Sequence, residues 1–201
     1  MLRAGLAAAL LLSLTTPGAT AGPRRSAVAP LPKVEIKTEI GRIVIVLEAK
    51  RAPITAANFL HYVDAHKFDG TVFYRAARGK SHPEKGLIQG GIDTNIRNSF
   101  FPIAHEPTSK TGLKHLDGTV SMARNKPGSA MGDFFITLGA APGLDAAGDY
   151  AGYAAFGHVV SGMDITRRIL AMPTYPGGLD IATFGQTIRK PVKIISARRL
   201  P

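Results

Sequence analysis

The sequence predicts a mainly β domain, built either as a closed antiparallel barrel with helices over its openings or as a β-sandwich. Three observations carry this prediction. Short runs with strand character dominate the chain, segments with helical periodicity are few, and turn residues recur between the runs. The chain has 201 residues, which is enough for one domain with a full core. The residue pattern alone does not decide between barrel and sandwich.

The domain is expected to open with a β-hairpin followed by a helix. Residues 34–37 alternate apolar and polar, residues 43–47 form a largely β-branched run, and residues 38–41 supply the turn between them. The second run is apolar on both faces, which predicts a strand covered on both sides. A helix follows Pro53, and Thr55 is its predicted N-terminal cap.

The middle of the chain predicts two strands and a long loop. The strands cover residues 71–75 and 86–91, and residues 76–85 between them are polar and typical of a turn. Residues 93–118 form a long irregular stretch rich in Asn, Pro and Gly. Loops of this length are usually functional or held by their own packing.

The last third of the chain predicts four more strands and a second helix. The helix is expected over residues 161–171 and is ended by Pro173. The strands are expected at residues 118–123, 134–138, 154–160 and 192–198.

The first 33 residues predict export. Residues 1–21 combine a positive start, an apolar run over residues 4–14 and a small-x-small pattern, which is typical of a secretory signal cut after Ala21. An uncleaved membrane anchor is the alternative, but the apolar run is too short to span a bilayer comfortably. Residues 22–33 read as an extended, Pro-rich linker, and residues 34–201 as the folded domain. We therefore expect a periplasmic protein in a Gram-negative source and a secreted one otherwise, without stable membrane insertion after cleavage.

Composition excludes several classes of function. The chain has no cysteine, so disulfides, thiolate chemistry and Cys-ligated zinc are excluded. The net charge is +11, but the basic residues are scattered and no long basic run is interleaved with aromatics. Nucleic-acid binding is therefore not expected. The predicted chemistry needs no metal and no cofactor, and we expect a monomer.

The residues with most chemical interest fall in two runs, 72–75 and 133–136. We expect the runs to face each other across a shallow groove, with Arg75 and Gln89 as its polar groups. Taken alone, an arginine after a strand is typical of a surface ion pair, and a glutamine is an ordinary polar strand residue. Of the two neighbouring phenylalanines in the second run, one is expected in the core, because successive strand residues face opposite ways.

Five motifs in fixed order identify a family. They are FYR at 73–75, IQGG at 88–91, GTVSMA at 118–123, FFI at 134–136, and FGHV at 156–159 followed by GMD at 162–164. Together they resemble the cyclophilin family over residues 34–200, and residues 153–157 and 195–198 resemble the exported bacterial members. The resemblance implies an eight-stranded closed antiparallel barrel capped by two α-helices. It also implies peptidyl-prolyl cis-trans isomerase activity on proline-containing unfolded or flexible polypeptides.

The resemblance assigns the catalytic roles to Arg75 and Gln89. In the family pattern, the arginine donates a hydrogen bond to the prolyl nitrogen, and the glutamine orients the substrate backbone through its amide. The resemblance implies that Leu87, Phe135 and Leu144 line the proline pocket. It implies that Ala123 and Arg124 bind the residue before proline. The full implied set of substrate-binding residues is Leu87, Ala123, Arg124, Asp133, Phe135, Leu144 and Tyr153.

Several residues depart from the family pattern. Gly86 stands where a phenylalanine is usual, Gly143 where an aromatic is usual, and Asp133 where a glutamine is common. Tyr74 and Tyr153 each replace a histidine. We therefore expect weaker proline binding and weak binding of the drug cyclosporin. A carboxylate at Asp133 is expected either to pin the arginine away from the substrate or to orient it.

Two other functions stay open on these departures. One is a catalytically weak or inactive peptide-binding or chaperone module on the same barrel. The other is a basic protein bound to anionic envelope surfaces, which the net charge would favour.

Overall fold

A computed structural model describes residues 30–93, 95–177 and 181–201. The predicted signal segment and residues 22–29 of the predicted linker lie outside these ranges. The described residues form eight strands: β1 (Lys33–Thr38), β2 (Gly41–Leu47), β3 (Val72–Arg78), β4 (Gly86–Gly91), β5 (Thr119–Met122), β6 (Phe134–Leu138), β7 (Ala155–Ser161) and β8 (Thr187–Leu200).

The strands close into a barrel in the order β1-β2-β7-β5-β6-β4-β3-β8, and every neighbouring pair is antiparallel. This confirms the barrel and excludes the sandwich. Closure comes from pairing the first strand with the last, so that Lys33 lies opposite Leu200 and Lys37 opposite Ser196. A closed barrel leaves no strand edge exposed for pairing with other chains.

Within the described ranges, two helices of more than two turns pack on the barrel. They are α1 (Pro53–Asp64) against β7 and β8, and α3 (Met163–Leu170) against β2, β3, β4 and β6. A single helical turn, α2 (Thr108–Thr111), lies in the long loop. No helix among the described residues has the length and apolar character needed to cross a bilayer.

The predicted cap of α1 is wrong. The N-cap position is Ala52, and the side chain of Thr55 is buried inside the helix start. The buried carboxylate of Glu106 instead accepts hydrogen bonds from the backbone N–H groups of Ile54 at 3.2 Å and Thr55 at 2.7 Å. A local sequence pattern could not show this, because the capping group comes from the long loop, far along the chain.

Aromatic rings fill the core between α1 and the barrel wall. The ring centroid of Phe59 lies 5.0 Å from Phe68, 5.3 Å from Phe134 and 5.2 Å from Phe156. All four rings are fully buried. Burial of each such side chain stabilises the fold by about 1.5–3 kcal/mol. Phe134 is thus the core member of the phenylalanine pair, and Phe135 belongs to the opposite face.

A β-bulge in β3 sets up the site. Phe73 pairs with Gly90 and Arg75 pairs with Gln89, so Tyr74 is an extra residue in the strand. Phe73, just before Tyr74, and Ala76, just after Arg75, both point their side chains into the core. Tyr74 and Arg75 therefore lie together on the outer face, where a regular strand would place them on opposite faces.

Candidate active site

One open cleft of about 570 Å³ lies on the outer face of β3, β4 and β6. All nine residues predicted for the site line it: Arg75, Leu87, Gln89, Ala123, Arg124, Asp133, Phe135, Leu144 and Tyr153. The strand register explains the core of this set, because Gln89 lies between Arg75 on one neighbouring strand and Phe135 on the other. The structure thus brings the predicted residues together, and their roles remain predictions.

The Arg75 guanidinium is half-buried and held at two points. Its Nε donates to Gln186 Oε1 at 2.8 Å, and its Nη1 donates to Gln89 Oε1 at 2.8 Å. Burial lowers the pKa of Arg75, and the nearby hydroxyls of Tyr153 and Tyr74 partly oppose this effect. Arginine titrates so far above neutrality that the side chain stays cationic.

The amide of Gln89 is also fixed at both ends. Its oxygen accepts from Arg75, and its Nε2 donates to Tyr74 Oη at 2.7 Å. The carboxylate of Asp133 lies near the Tyr74 hydroxyl. Burial is the main cause that raises the pKa of Tyr74, and the negative charge of Asp133 adds to it. The hydroxyl therefore stays protonated and remains a donor.

Asp133 does not pin Arg75 by direct contact. Its Oδ1 accepts from the backbone N–H of Asp93 at 2.8 Å, and its carboxylate lies near the Tyr74 hydroxyl. The hydrogen bonds of the Arg75 guanidinium within the described residues go to Gln89 and Gln186. Asp133 lies near Tyr74, whose hydroxyl accepts from Gln89, and this indirect position favours the orienting alternative over the pinning one.

The apolar wall of the cleft is a stack of planar groups. Phe135 lies between the ring of His115, at 5.9 Å and nearly parallel, and the ring of Tyr153, at 5.4 Å and edge-on. The guanidinium carbon of Arg124 lies 4.7 Å from the centroid of the Tyr153 ring. Arg124 Nε also donates to the backbone oxygen of Gly152 at 3.0 Å. These contacts fix both the phenylalanine and the cation beside it.

His115, Asp145 and Ser121 form a hydrogen-bonded chain behind Phe135. His115 Nδ1 lies 2.7 Å from Asp145 Oδ1, and its Nε2 lies 3.0 Å from Ser121 Oγ. The residue types match those of a hydrolytic triad. His115 and Ser121 are fully buried, however, so the serine hydroxyl cannot reach a substrate. The chain supports the ring of Phe135 and supplies no nucleophile.

The two glycines that replace aromatics in the family pattern differ in their surroundings. Gly86 has φ +145°, and a Cβ at this position would lie 1.9 Å from the backbone oxygen of Ala77. The backbone there accepts only glycine, so an aromatic wall cannot stand at residue 86. Around Gly143 a Cβ would meet open space. The surroundings of residue 143 therefore leave room for a larger side chain, and no backbone contact requires glycine there.

Sequence reasoning missed part of the cleft. Gln186 and Tyr74, which do not line the cleft but hold Arg75 and Gln89, have no predicted role: Gln186 lies just before β8 in a region with no recognisable motif, and Tyr74 is only a departure from the family pattern. The cleft is completed by Asn125, Ser129, Met131 and Thr183. The described residues contain no group of three or more His, Asp and Glu side chains placed to hold a metal ion.

Fold and cleft together define a class: a closed β-barrel with an arginine, a glutamine and an apolar wall in one open peptide-sized groove. Comparison with models of protein families identifies the family to which this barrel belongs. The model of the family described as cyclophilin type peptidyl-prolyl cis-trans isomerase matches residues 33–199. The chain belongs to this family and is therefore an enzyme of the peptidyl-prolyl isomerase type.

Named relatives agree with the assignment. The chain is 37% identical to a peptidyl-prolyl cis-trans isomerase of Acinetobacter baylyi over 167 residues, covering 82% of this chain and 84% of that protein. It is 32% identical to peptidyl-prolyl cis-trans isomerase A of Dickeya dadantii, covering 82% and 83%. Isomerase B of Escherichia coli is 33% identical, with coverage of 73% and 88%.

Solved structures confirm the fold. A cyclophilin type isomerase of Cryptosporidium parvum superposes with a TM-score of 0.67 at 22% identity, covering 85% of this chain and 98% of that one. The same protein has been solved in the presence of the dipeptide Ala-Pro, again with a TM-score of 0.67.

Proposed function

We propose that this protein is an exported prolyl isomerase that accelerates X-Pro bond rotation in unfolded or flexible polypeptides. Arg75 supplies the catalytic hydrogen bond to the prolyl nitrogen. The single observation that carries the mechanism is the position of the Arg75 guanidinium in the cleft that contains Phe135 and Leu87. A cation and an apolar wall in one groove suit a substrate with one polar nitrogen inside an apolar ring.

The physical obstacle to the reaction is amide resonance. Rotation about the X-Pro bond has a barrier of about 18–20 kcal/mol, although the cis and trans forms differ by only about 0.5–1 kcal/mol. As the bond twists, resonance is lost and the prolyl nitrogen regains a lone pair. A donor aimed at that nitrogen binds the twisted state better than either planar state, which is the condition for catalysis.

Arg75 has donors left for this bond. Its contacts with Gln89 and Gln186 use two of its five N–H groups. Within the described residues, the other three make no hydrogen bond inside the chain. Proline has no N–H of its own, so the nitrogen can be approached directly. The apolar wall excludes water and strengthens the hydrogen bond.

The first test compares the purified wild-type protein with Arg75→Ala in a protease-coupled assay on a proline peptide. We expect kcat/KM to fall at least about 100-fold, the loss that follows removal of one transition-state donor. Arg42→Ala is the matched control, because Arg42 is exposed on the barrel surface, where its guanidinium is paired with Glu35. The catalytic proposal fails if Arg75→Ala is as fast as the wild type.

The second candidate is a peptide-binding module with little or no catalysis. The conformation of Gly86 favours it, because this cleft lacks an aromatic wall that the family pattern usually supplies. Loss of such a wall removes burial worth about 1.5–3 kcal/mol. Calorimetric binding of a proline peptide, together with no acceleration of isomerisation by the wild-type protein, would favour this candidate.

Export rests on the sequence pattern of the first 21 residues and needs its own experiment. When the full chain is expressed in its source cells, we expect the mature protein outside the cytoplasm with Gly22 at its N-terminus. Recovery of a chain that retains residues 1–21 in the cytoplasmic fraction would overturn the proposal. The isomerase mechanism does not depend on this result.

A further inference from the structure

Tyr74 and Arg75 lie side by side on the outer face of β3, and the bulge between Phe73 and Arg75 places them there. Gln89 on β4 is bonded to both, through its nitrogen at 2.7 Å and its oxygen at 2.8 Å. A regular strand would point one of these two neighbours into the core. The bulge therefore builds a site in which one amide is held from two sides.

The directions of the two hydrogen bonds of the Gln89 amide are determined. Arginine can only donate, so the amide oxygen of Gln89 must face Arg75. The amide nitrogen must then face Tyr74, whose hydroxyl oxygen accepts. The hydroxyl keeps its proton, because burial and the nearby negative charge of Asp133 raise the pKa of Tyr74. Reversal of the Gln89 amide would place its NH2 group against the N–H groups of Arg75. Both groups can only donate, so this orientation is unfavourable.

The second anchor of the guanidinium is Gln186. Its side-chain oxygen accepts from Arg75 Nε at 2.8 Å. Its backbone oxygen accepts from the N–H of Ala76 at 2.8 Å, so the glutamine is fixed to β3 at the residue next to the arginine. The two contacts on Arg75 lie on different edges of the guanidinium, and together they set the orientation of its plane.

We propose that Tyr74 and Gln186 are positioning residues of the isomerase site. Tyr74 sets the amide direction of Gln89, and Gln186 sets the plane of the Arg75 guanidinium, so that its remaining N–H groups meet the prolyl nitrogen. The proposal rests on the proposed function of Arg75. It assigns roles to two residues to which the family motifs assign none. One of them, Tyr74, stands where the family pattern has a histidine.

Each variant changes one polar side-chain group at the site. Tyr74→Phe keeps the ring and removes the hydroxyl. Gln186→Leu removes the acceptor, and Gln186→Glu keeps an acceptor for the guanidinium. Tyr175→Phe is the matched control, because Tyr175 is half-exposed and contacts Arg189 away from the cleft. Activity is measured as kcat and KM separately on a proline peptide.

We expect Tyr74→Phe and Gln186→Leu each to lower kcat about 5- to 10-fold, the effect of one lost hydrogen bond, with KM changed less than about twofold. Gln186→Glu should restore kcat, and Tyr175→Phe should match the wild type. In a Gln89→Ala background, Tyr74→Phe should have no further effect, because the tyrosine acts through the glutamine. A merely structural tyrosine would lower activity equally in both backgrounds.

A second readout does not depend on catalysis. In nitrogen-15 NMR spectra, the Arg75 Nε–H should exchange slowly with water in the wild-type protein and at least about tenfold faster in Gln186→Leu. Unchanged kcat in both variants of an active enzyme would overturn the positioning proposal and leave the proposed function standing. A wild-type protein without isomerase activity would overturn both. Equal Nε–H exchange in wild type and Gln186→Leu would remove the role of Gln186.

Discussion

Arg75 combines a permanent charge with a half-buried position. The charge survives because burial lowers its pKa from a value far above neutrality, and because two glutamine oxygens accept from the guanidinium. The sequence indicated this residue only through the ordered family motifs, since an arginine after a strand is usually a surface residue. It could not indicate Gln186, which is brought to the arginine by the pairing of β8 with β3 and has no local pattern.

The two unusual glycines lead to a prediction about cyclosporin. Gly143 lies in open space without a positive φ, so Gly143→Trp should fold normally and supply the missing aromatic wall. We expect cyclosporin to inhibit this variant at least about tenfold more strongly than the wild type, since an added aromatic contact is worth about 1.5–3 kcal/mol when buried. Inhibition constants from the isomerase assay measure the change.

The controls for this prediction are Gly143→Ala and Gly86→Phe. Gly143→Ala adds no ring and should leave inhibition unchanged. Gly86→Phe should destabilise the fold, because its Cβ would overlap the backbone oxygen of Ala77. Nanomolar cyclosporin inhibition of the wild type would contradict the expectation, since it would require another side chain to replace the ring at Gly143.

At the scale of elements, most strands could be predicted and their irregularities could not. β1, β2, β4 and β6 were predicted well because apolar alternation or β-branched runs determine which face is buried. β3 extends to Arg78, past its predicted end, and β8 begins at Thr187, before its predicted start. The bulge at Tyr74 depends on the register with β4, which no local pattern encodes.

The start of α1 gives a prediction about stability. Both carboxylate oxygens of Glu106 accept from the helix start, and the Thr55 hydroxyl donates a third bond at 2.6 Å. Glu106→Gln should lower the free energy of unfolding by about 1–3 kcal/mol, because one oxygen is replaced by a donor that faces backbone N–H groups. Urea denaturation measures the loss. Glu84→Gln is the exposed control, and equal stability of the two variants would refute the capping role.

At the scale of the whole molecule, the pairing of β1 with β8 makes the fold a closed barrel and not a sandwich, which the strand pattern of the sequence left open. Barrel and sandwich share the same strand lengths and turn residues, and they differ only in which strands meet. Here the two ends of the domain meet, and the closed wall places β3, β4 and β6 side by side under the cleft. The nine predicted residues come from segments far apart in the chain, and the family motifs, not the strand pattern, allowed their grouping.

Global stability should depend on pH through His115. Burial lowers the pKa of this buried imidazole below its ordinary value of 6.5, and the hydrogen bond to Asp145 acts in the opposite sense. The unfolded chain therefore binds the proton more readily than the folded one. Stability from this group is complete above pH 6.5 and is lost as the pH falls below it.

The urea midpoint of the wild type should accordingly fall between pH 7 and pH 5. In His115→Gln the midpoint should be lower at pH 7 and should change less with pH. His82→Gln, at an exposed position, should keep the wild-type dependence. Parallel pH profiles for wild type and His115→Gln would show that the buried imidazole does not control this dependence.

The most direct test of the mechanism is the rate of cis–trans exchange of a proline peptide, measured by two-dimensional exchange NMR with wild-type protein and with Arg75→Ala. This measurement needs no coupling protease and reports bond rotation itself. We predict fast enzyme-dependent exchange with the wild type and exchange at least about 100-fold slower with Arg75→Ala. Equal exchange rates for the two proteins would contradict the central role of the arginine.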